Sequence, residues 1–176
     1  MTAAVKPPSA GVDAGPSPPA QDADAAIDVV VRLAQWQAHA KSVPYASLVS
    51  TFAALLCAGL LARAVPHALL LGWLLVLAGV LGLRAAVWRA GRRCAPTAAG
   101  ATRALRRYRV LAFVHGLTWS ALAVLVPRTG AAETQTLLAL VLAGLAASAM
   151  TLMLFDLSAA LLFSVPLLLS LALRIV

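Results

Sequence analysis

The sequence predicts an all-α fold, a polytopic membrane helix bundle of about five helices, from two observations. First, 62% of the 176 residues are hydrophobic and only 11% are charged, whereas a soluble domain has roughly 45–50% apolar and about 25% charged residues. Second, the apolar residues form continuous runs, while the strands of an outer-membrane barrel alternate apolar and polar residues. A helix satisfies its own backbone hydrogen bonds in lipid, so continuous runs of this kind indicate membrane helices.

Two segments of different character precede the first apolar run. Residues 1–23 contain five of the ten prolines and almost no large apolar side chains, so we expect a disordered tail. Residues 24–42 carry apolar side chains at helical spacing, including Ile27, Val30 and Val31, which predicts an amphipathic helix on the cytoplasmic side of the membrane. We expect this helix to end where Pro44 interrupts the pattern.

The transmembrane domain is predicted to occupy residues 43–176. Its expected spans lie at about 45–62, 68–88, 110–126, 137–155 and 157–173. With their interfacial residues, all five are long enough to cross a hydrocarbon core of roughly 30 Å. Gly144 and Ser148 place two small residues four positions apart in the fourth span, a spacing that lets membrane helices approach closely.

Basic residues are concentrated between the second and third spans. Eight of the fourteen lie there, and we interpret them as a basic cluster at the membrane surface: Arg84, Arg89, Arg92, Arg93, Arg103, Arg106, Arg107 and Arg109. With a cytoplasmic N-terminus, the inside segments hold eleven basic residues and the outside segments three, and the positive-inside rule favours that orientation.

The basic cluster has two interpretations. It either attracts the anionic head groups of the bilayer or contacts a cytoplasmic output domain. Nucleic acid is not an expected partner, because these charges flank apolar spans and do not form a base-reading module.

Three side chains are candidates for sensing or packing: His115, Trp119 and Asp156. His115 lies inside the third span with Trp119 on the same face, and an ionisable group at membrane depth is a site hypothesis by default. The alternative is a structural histidine satisfied by one interhelical hydrogen bond. We expect its face to point into the bundle, against the second or fourth span, with Gly116 leaving room for a neighbouring helix. Asp156 is expected to cap the fifth span at the cytoplasmic turn.

No catalytic residue, cofactor or metal site is predicted. The chain has six acidic residues, four of them before residue 29, and lacks a phosphate-binding glycine loop or a nucleophile–base arrangement. Cys57 and Cys94 lack metal-ligand spacing, and we expect them at different depths, too far apart for a disulfide.

Several short motifs after Arg103 carry a family resemblance. They are the basic Arg106-Arg107-Tyr108-Arg109 run, Gly116-x-x-Trp119, Pro127, the small residues around Gly144–Ser148, Phe163-x-x-Pro166 and Arg174. With these motifs the chain resembles the N-terminal membrane-sensor regions of bacterial diguanylate cyclases and sensor histidine kinases.

The resemblance implies a sensory input module in the bacterial inner membrane, with its N-terminus in the cytoplasm. Such a module passes a stimulus to a cytoplasmic output domain, which carries the diguanylate cyclase or kinase activity, and a second copy of the chain is a further expected partner. Similar regions continue into another helix and a linker, so we expect this chain to stop before its last helix. The alternative is a small stand-alone membrane protein, either a transporter component or a structural subunit.

Overall fold

The computed structural model describes residues 20–93, 97–128, 131–153 and 156–175. The described residues form five helices in chain order: α1 (Ala20–Leu61), α2 (His67–Arg93), α3 (Ala98–Leu125), α4 (Ala132–Leu152) and α5 (Leu157–Ile175). Each helix includes a segment long and apolar enough to cross a membrane, and no strand occurs within the described ranges. The predicted all-α fold with about five spans is therefore confirmed.

Helix α1 is continuous over 42 residues, although the sequence predicts a break near Pro44. Proline has no backbone N–H, so the carbonyl of Ala40, four residues earlier, loses its usual helical partner. The indole of Trp88 in α2 donates Nε1–H to that carbonyl at 2.7 Å. A tertiary contact thus replaces the missing bond. The predicted disordered tail lies outside the described residues, except for residues 20–23, which begin α1.

The first three helices are longer than the bilayer requires. Helices α2 and α3 contain 27 and 28 residues. At 1.5 Å per residue both measure about 40 Å, against a hydrocarbon core of roughly 30 Å. Helices α4 and α5, with 21 and 19 residues, match the core more closely. The excess length of α1, α2 and α3 lies at one end of the bundle, which we call the basic end.

The projecting parts of these three helices pack into a stem. Trp36 of α1 is buried there with Ala101 and Leu105 of α3. The Trp36 ring also lies against Gly91 of α2, where a Cβ atom would come within 2.2 Å of it. Thr97 starts α3 by accepting a hydrogen bond from the Gly100 amide at 3.1 Å. In the stem, α1 therefore packs against both α2 and α3.

Helix α3 lies at the centre of the bundle and contacts the other four helices. One stripe of its side chains is buried: Tyr108, Ala112, His115, Trp119 and Leu122. Against α5 its backbone comes so close that a Cβ atom at Gly116 would lie 2.4 Å from a backbone oxygen of α5. The prediction that Gly116 leaves room for a neighbouring helix is confirmed.

Gly144 does not have the contact that its motif predicts. It is exposed on α4, and a Cβ atom there would have nothing within 4 Å. A small-x-x-x-small pattern is weak evidence in a chain so rich in glycine and alanine, and here the motif faces outward.

Many large apolar side chains face outward from the bundle. Examples are Phe52 on α1, Leu75 on α2, Val124 on α3, Leu140 on α4 and Leu157 on α5. In water such a surface would be unfavourable, whereas in a bilayer it contacts acyl chains. The five apolar helices and this outward face are compatible with a multi-pass membrane protein.

The end of the bundle opposite the basic end is closed by Arg174. Its guanidinium donates to the side-chain oxygen of Gln135 at 2.8 Å, and to the backbone carbonyls of Ala123 and Pro127. Arg128 donates to the carbonyl of Leu173 at 2.9 Å. Arginines near helix C-termini satisfy carbonyls that have no helical partner. These contacts join the last turn of α5 to α3, to α4 and to the segment between them.

Candidate functional site

A cluster of polar side chains lies inside the bundle, between the first three helices. We call it the polar centre, and its members are Ser50 of α1, Arg84 of α2, and Tyr108, His115 and Trp119 of α3. All five are buried, and none is more than 4% exposed. Buried polar groups at membrane depth are costly unless they bond to one another, so such a cluster marks either a structural lock or a functional site.

Arg84 supplies the charge of the polar centre. Its side chain is 1% exposed, with one guanidinium nitrogen 2.7 Å from Nδ1 of His115 and the other donating to the Tyr108 hydroxyl at 2.6 Å. Among the described residues, its Nε–H has no acceptor and no carboxylate lies within salt-bridge distance of Arg84. The positive charge is therefore hydrogen-bonded but not neutralised.

The sequence prediction for Arg84 was wrong. Because Arg84 precedes seven further arginines in the same segment, the sequence predicts that it belongs to the basic cluster at the membrane surface. The structure places it within α2, with its side chain turned to α3. The charge balance behind the predicted orientation changes from eleven against three to ten against three, since Arg84 no longer counts as a loop charge.

The contacts of His115 define its tautomer. A guanidinium only donates hydrogen bonds, so Nδ1 of His115 must accept from Arg84. The ring proton is then on Nε2, which lies 3.0 Å from Oγ of Ser50 and donates to it. The indole nitrogen of Trp119 lies near both Nε2 and Ser50 Oγ, and its N–H bonds to the hydroxyl oxygen at 3.2 Å, because a protonated Nε2 cannot accept. Arg84, His115, Ser50 and Trp119 thus form one connected network.

The packing predictions for His115 and Trp119 are confirmed. His115 is 3% exposed, bonds to the second span through Arg84, and has the ring of Phe163 from α5 at a centroid distance of 5.2 Å. Trp119 is fully buried and its ring meets that of Trp73 edge to face, also at 5.2 Å. Trp73 in turn donates to the carbonyl of Thr118 at 2.7 Å. The centre is thus enclosed by aromatic rings on its α2 and α5 sides.

A small cleft of about 40 Å³ adjoins the polar centre on the side of α4. Ser50, Arg84 and His115 line it together with apolar side chains of α1, α4 and α5. Three more of its lining residues, Val49, Ser148 and Leu152, are exposed on the outward face of the bundle. The cleft therefore leads from the surface between α1 and α4 to the charged centre. A cavity of this size holds two or three water molecules, or a group of comparable volume.

Asp156 has the predicted role of an N-cap and one further contact. Its carboxylate accepts from the Ala159 amide at 3.2 Å at the start of α5. The same buried carboxylate pairs with Arg109 of α3 at 3.0 Å. Arg109 is thus half-buried in an ion pair and differs from the surface arginine that the sequence predicts. The pair links the base of α3 to the first turn of α5.

The rest of the predicted basic cluster lies at the basic end. Its exposed members are Arg89 and Arg92 on α2 and Arg103, Arg106 and Arg107 on α3. Arg93 ends α2, and Cys94 lies outside the described residues. Arg32 of α1 donates to the Thr102 hydroxyl at 3.2 Å, which joins the first and third helices within the stem.

The chemistry available at the polar centre is stabilisation of negative charge. Its donors are a guanidinium, a phenol, an imidazole N–H and an indole N–H, and it contains no carboxylate or thiol. Among the described residues, no group of three or more histidines, cysteines and acidic residues lies close enough to hold a metal ion.

Comparison of the chain with protein-family models, with curated proteins and with solved structures found no match.

Proposed function

We propose that the chain is the membrane sensory module of a bacterial signalling protein and passes a stimulus to a cytoplasmic output domain, such as a diguanylate cyclase or a histidine kinase. The observation that carries this proposal is that one buried, charged centre joins the three helices that form the stem. A change at that centre can therefore reach the basic end through continuous helices.

The distances favour such coupling. Arg84 lies nine residues before the end of α2, and Tyr108 lies ten residues after the start of α3. At 1.5 Å per residue the centre is about 15 Å from the tip of the stem. Helices that pack tightly shift between discrete arrangements of about 1–2 Å and do not deform continuously. The proposal requires two such arrangements, one with Arg84 bonded to His115 and one with Arg84 turned to a ligand.

The orientation supports a cytoplasmic output. The five exposed arginines of the basic end would lie inside the cell under the positive-inside rule. In this proposal the chain is a multi-pass protein of the inner membrane with a cytoplasmic N-terminus. The stem then faces the compartment in which an output domain would act.

A distance measurement tests the coupling. Spin labels at Arg89 of α2 and Arg103 of α3, in a background with both cysteines replaced, report the separation of the two helices in lipid nanodiscs. We expect Arg84→Met to shift that distance by about 1–2 Å or to add a second population. The control is Ser120→Ala, which removes a buried hydroxyl that donates to the Gly116 carbonyl of its own helix. An unchanged single distance in Arg84→Met would contradict the proposal.

A genetic observation tests the output domain. The sensory proposal expects the DNA that follows codon 176 in the native gene to encode a further apolar helix and then a cyclase-type or kinase-type frame. A stop codon directly after codon 176, with no such frame following, would favour the stand-alone membrane protein.

A further inference from the structure

We propose that the cleft beside the polar centre binds the carboxylate of an amphiphilic acid of the fatty-acid type, which enters sideways from the bilayer between α1 and α4. The role of this acid as the stimulus of the module depends on the proposed sensory function. The binding of the acid is inferred from the geometry of the cleft alone.

Charge is the first argument. A guanidinium buried at membrane depth is stable when an opposite charge lies close to it. Arg84 has neutral partners in His115 and Tyr108, and no acceptor for its Nε–H lies within the described part of the chain. A carboxylate in the cleft would supply both the missing charge and the missing acceptor. Carboxylates are also the planar partners that a guanidinium binds most favourably.

The lining of the cleft selects an amphiphile over a small aqueous ion. Beyond Arg84, His115 and Ser50, the walls are mostly apolar and include Leu145 and Met153. The volume of about 40 Å³ suits a carboxylate head group but not an acyl chain. The chain of the acid would instead lie outside the mouth, along the outward apolar surface of α1 and α4.

The position of the mouth indicates a route through lipid. Val49, Ser148 and Leu152 line the cleft and are exposed on the outward face of the bundle, at the level of the membrane spans. A ligand that partitions into the bilayer reaches this opening directly. A hydrophilic anion would first have to cross part of the hydrocarbon core, which is strongly unfavourable.

Binding of the carboxylate would rearrange the network in a definite way. Arg84 can turn one of its N–H groups from Nδ1 of His115 to the ligand, because Arg84 and His115 both line the cleft. His115 keeps its bond to Ser50 through Nε2. The contact between α2 and α3 is then loosened at the point from which both helices run into the stem.

Direct binding to the full chain tests the proposal. Laurate is added to delipidated protein in a non-ionic detergent, with dodecanol as the uncharged analogue and chloride and acetate as small anions, and bound mass is read by native mass spectrometry. We expect laurate to bind, and we expect dodecanol, chloride and acetate not to bind. Loss of the charge-assisted hydrogen bonds in Arg84→Met should weaken laurate binding by roughly 10- to 100-fold.

A second variant keeps the polar centre intact. Ser148→Phe fills the mouth of the cleft and should abolish laurate binding, while Ala147→Phe, on the adjacent exposed position that does not line the cleft, should leave it unchanged. The melting temperature without ligand shows whether both variants fold. Equal binding of laurate and dodecanol, binding that survives Ser148→Phe, or binding of small anions alone would each overturn the proposal.

The spin-label distance separates the two proposals. If laurate binds and the separation of Arg89 and Arg103 does not change, the ligand site stands and the sensory function fails. If laurate does not bind but Arg84→Met moves the stem, the sensory function stands and the carboxylate ligand is wrong.

Discussion

Arg84 and His115 depend on each other for their hydrogen bonds. A lone guanidinium in the bundle would cost several kcal/mol in lost solvation. Two short bonds, to Nδ1 of His115 and to the hydroxyl of Tyr108, offset part of that cost. Removing only one member of the pair leaves the other unsatisfied, while removing both leaves an apolar contact of similar volume. The losses in unfolding free energy from removing Arg84 and from removing His115 are therefore strongly non-additive.

This non-additivity can be measured. We expect His115→Leu to lower the free energy of unfolding by about 2–3 kcal/mol, because it leaves Arg84 with an unpaired donor in an apolar environment. Adding Arg84→Met to His115→Leu should recover part of that loss. The measurement is reversible unfolding in mixed detergent micelles. Ser120→Ala is the matched polar control and should cost less than about 1 kcal/mol. Additive losses in the double variant would show that the two side chains are not coupled.

At the residue scale the sequence revealed part of the polar centre. His115 is predicted because it is an ionisable residue within an apolar run, and Tyr108 lies two helical turns before it on the same stripe. Arg84 also lies inside the predicted span 68–88, which is the signal that could have separated it from the arginines that follow. A count of charges by segment groups Arg84 with those surface arginines and misses its position inside the span. Ser50 carries no sequence signal, since its role depends on how α1 packs against α3.

The contact between α3 and α5 depends on Gly116, which has no side chain to hold the two helices apart. At Gly116, a Cβ atom would lie 2.4 Å from the carbonyl oxygen of Phe163, and 3.1 Å from two further backbone atoms of that residue. A backbone oxygen cannot rotate away as a side chain can, so the helices would have to separate. The separation would disturb Phe163 where it covers the imidazole of His115.

We expect Gly116→Ala to lower the free energy of unfolding by about 1–3 kcal/mol, the usual cost of overpacking. The matched control is Gly144→Ala on α4, where the added methyl group meets nothing within 4 Å. That variant should lose no stability, because alanine is a better helix former than glycine. Both are compared by thermal unfolding in the same detergent. A Gly116→Ala protein as stable as wild type would contradict the close approach of α3 and α5.

Helix α1 offers a second test at this scale. Trp88 donates to the carbonyl of Ala40, which Pro44 leaves without a helical partner. We expect Trp88→Phe to cost about 1–2 kcal/mol by removing that bond. In a Pro44→Ala background the restored amide can bond to Ala40 itself, so Trp88→Phe should cost clearly less there. The comparison is a double-mutant cycle on unfolding free energies. An equal cost in both backgrounds would show that the indole acts only through packing.

Helix boundaries illustrate what sequence patterns predict poorly. The five spans follow from apolar runs, whose length and position are local properties of the sequence. The continuity of α1 through Pro44 is not local, because it depends on an indole that comes from α2. The outward position of Gly144 is not local either, since its motif does not indicate which face of α4 meets a neighbour.

At the scale of the whole molecule, the bundle is asymmetric along its axis. Helices α4 and α5 have about the length of a membrane span, whereas α1, α2 and α3 continue into a stem that holds the five exposed arginines of the basic cluster. The opposite end is closed by Arg174 and Arg128 through bonds to carbonyls. One end is thus compact and the other extended and charged. The asymmetry gives the proposed module a direction, from the centre to the stem.

This direction depends on which end faces the cytoplasm. With ten basic residues against three, the positive-inside rule favours the proposed orientation, in which the basic end lies in the cytoplasm. Cys94 directly follows Arg93, the last residue of α2, so it reports the side on which the basic end lies. Cys57 is buried in α1 and should not react. In intact cells we expect an impermeant maleimide to leave Cys94 unlabelled, and we expect labelling after the membrane is permeabilised.

Arg63 supplies the matched control for the opposite end. It is exposed in the turn between α1 and α2, and Arg63→Cys, with both native cysteines replaced, should react in intact cells without permeabilisation. Removing Arg63 also lowers the outside count from three to two, so the substitution does not weaken the bias that it reports. If Cys94 reacts rapidly in intact cells while the cysteine at position 63 is protected, the chain is inverted. The stem would then face away from the cytoplasm, and the cytoplasmic output domain would have to be abandoned.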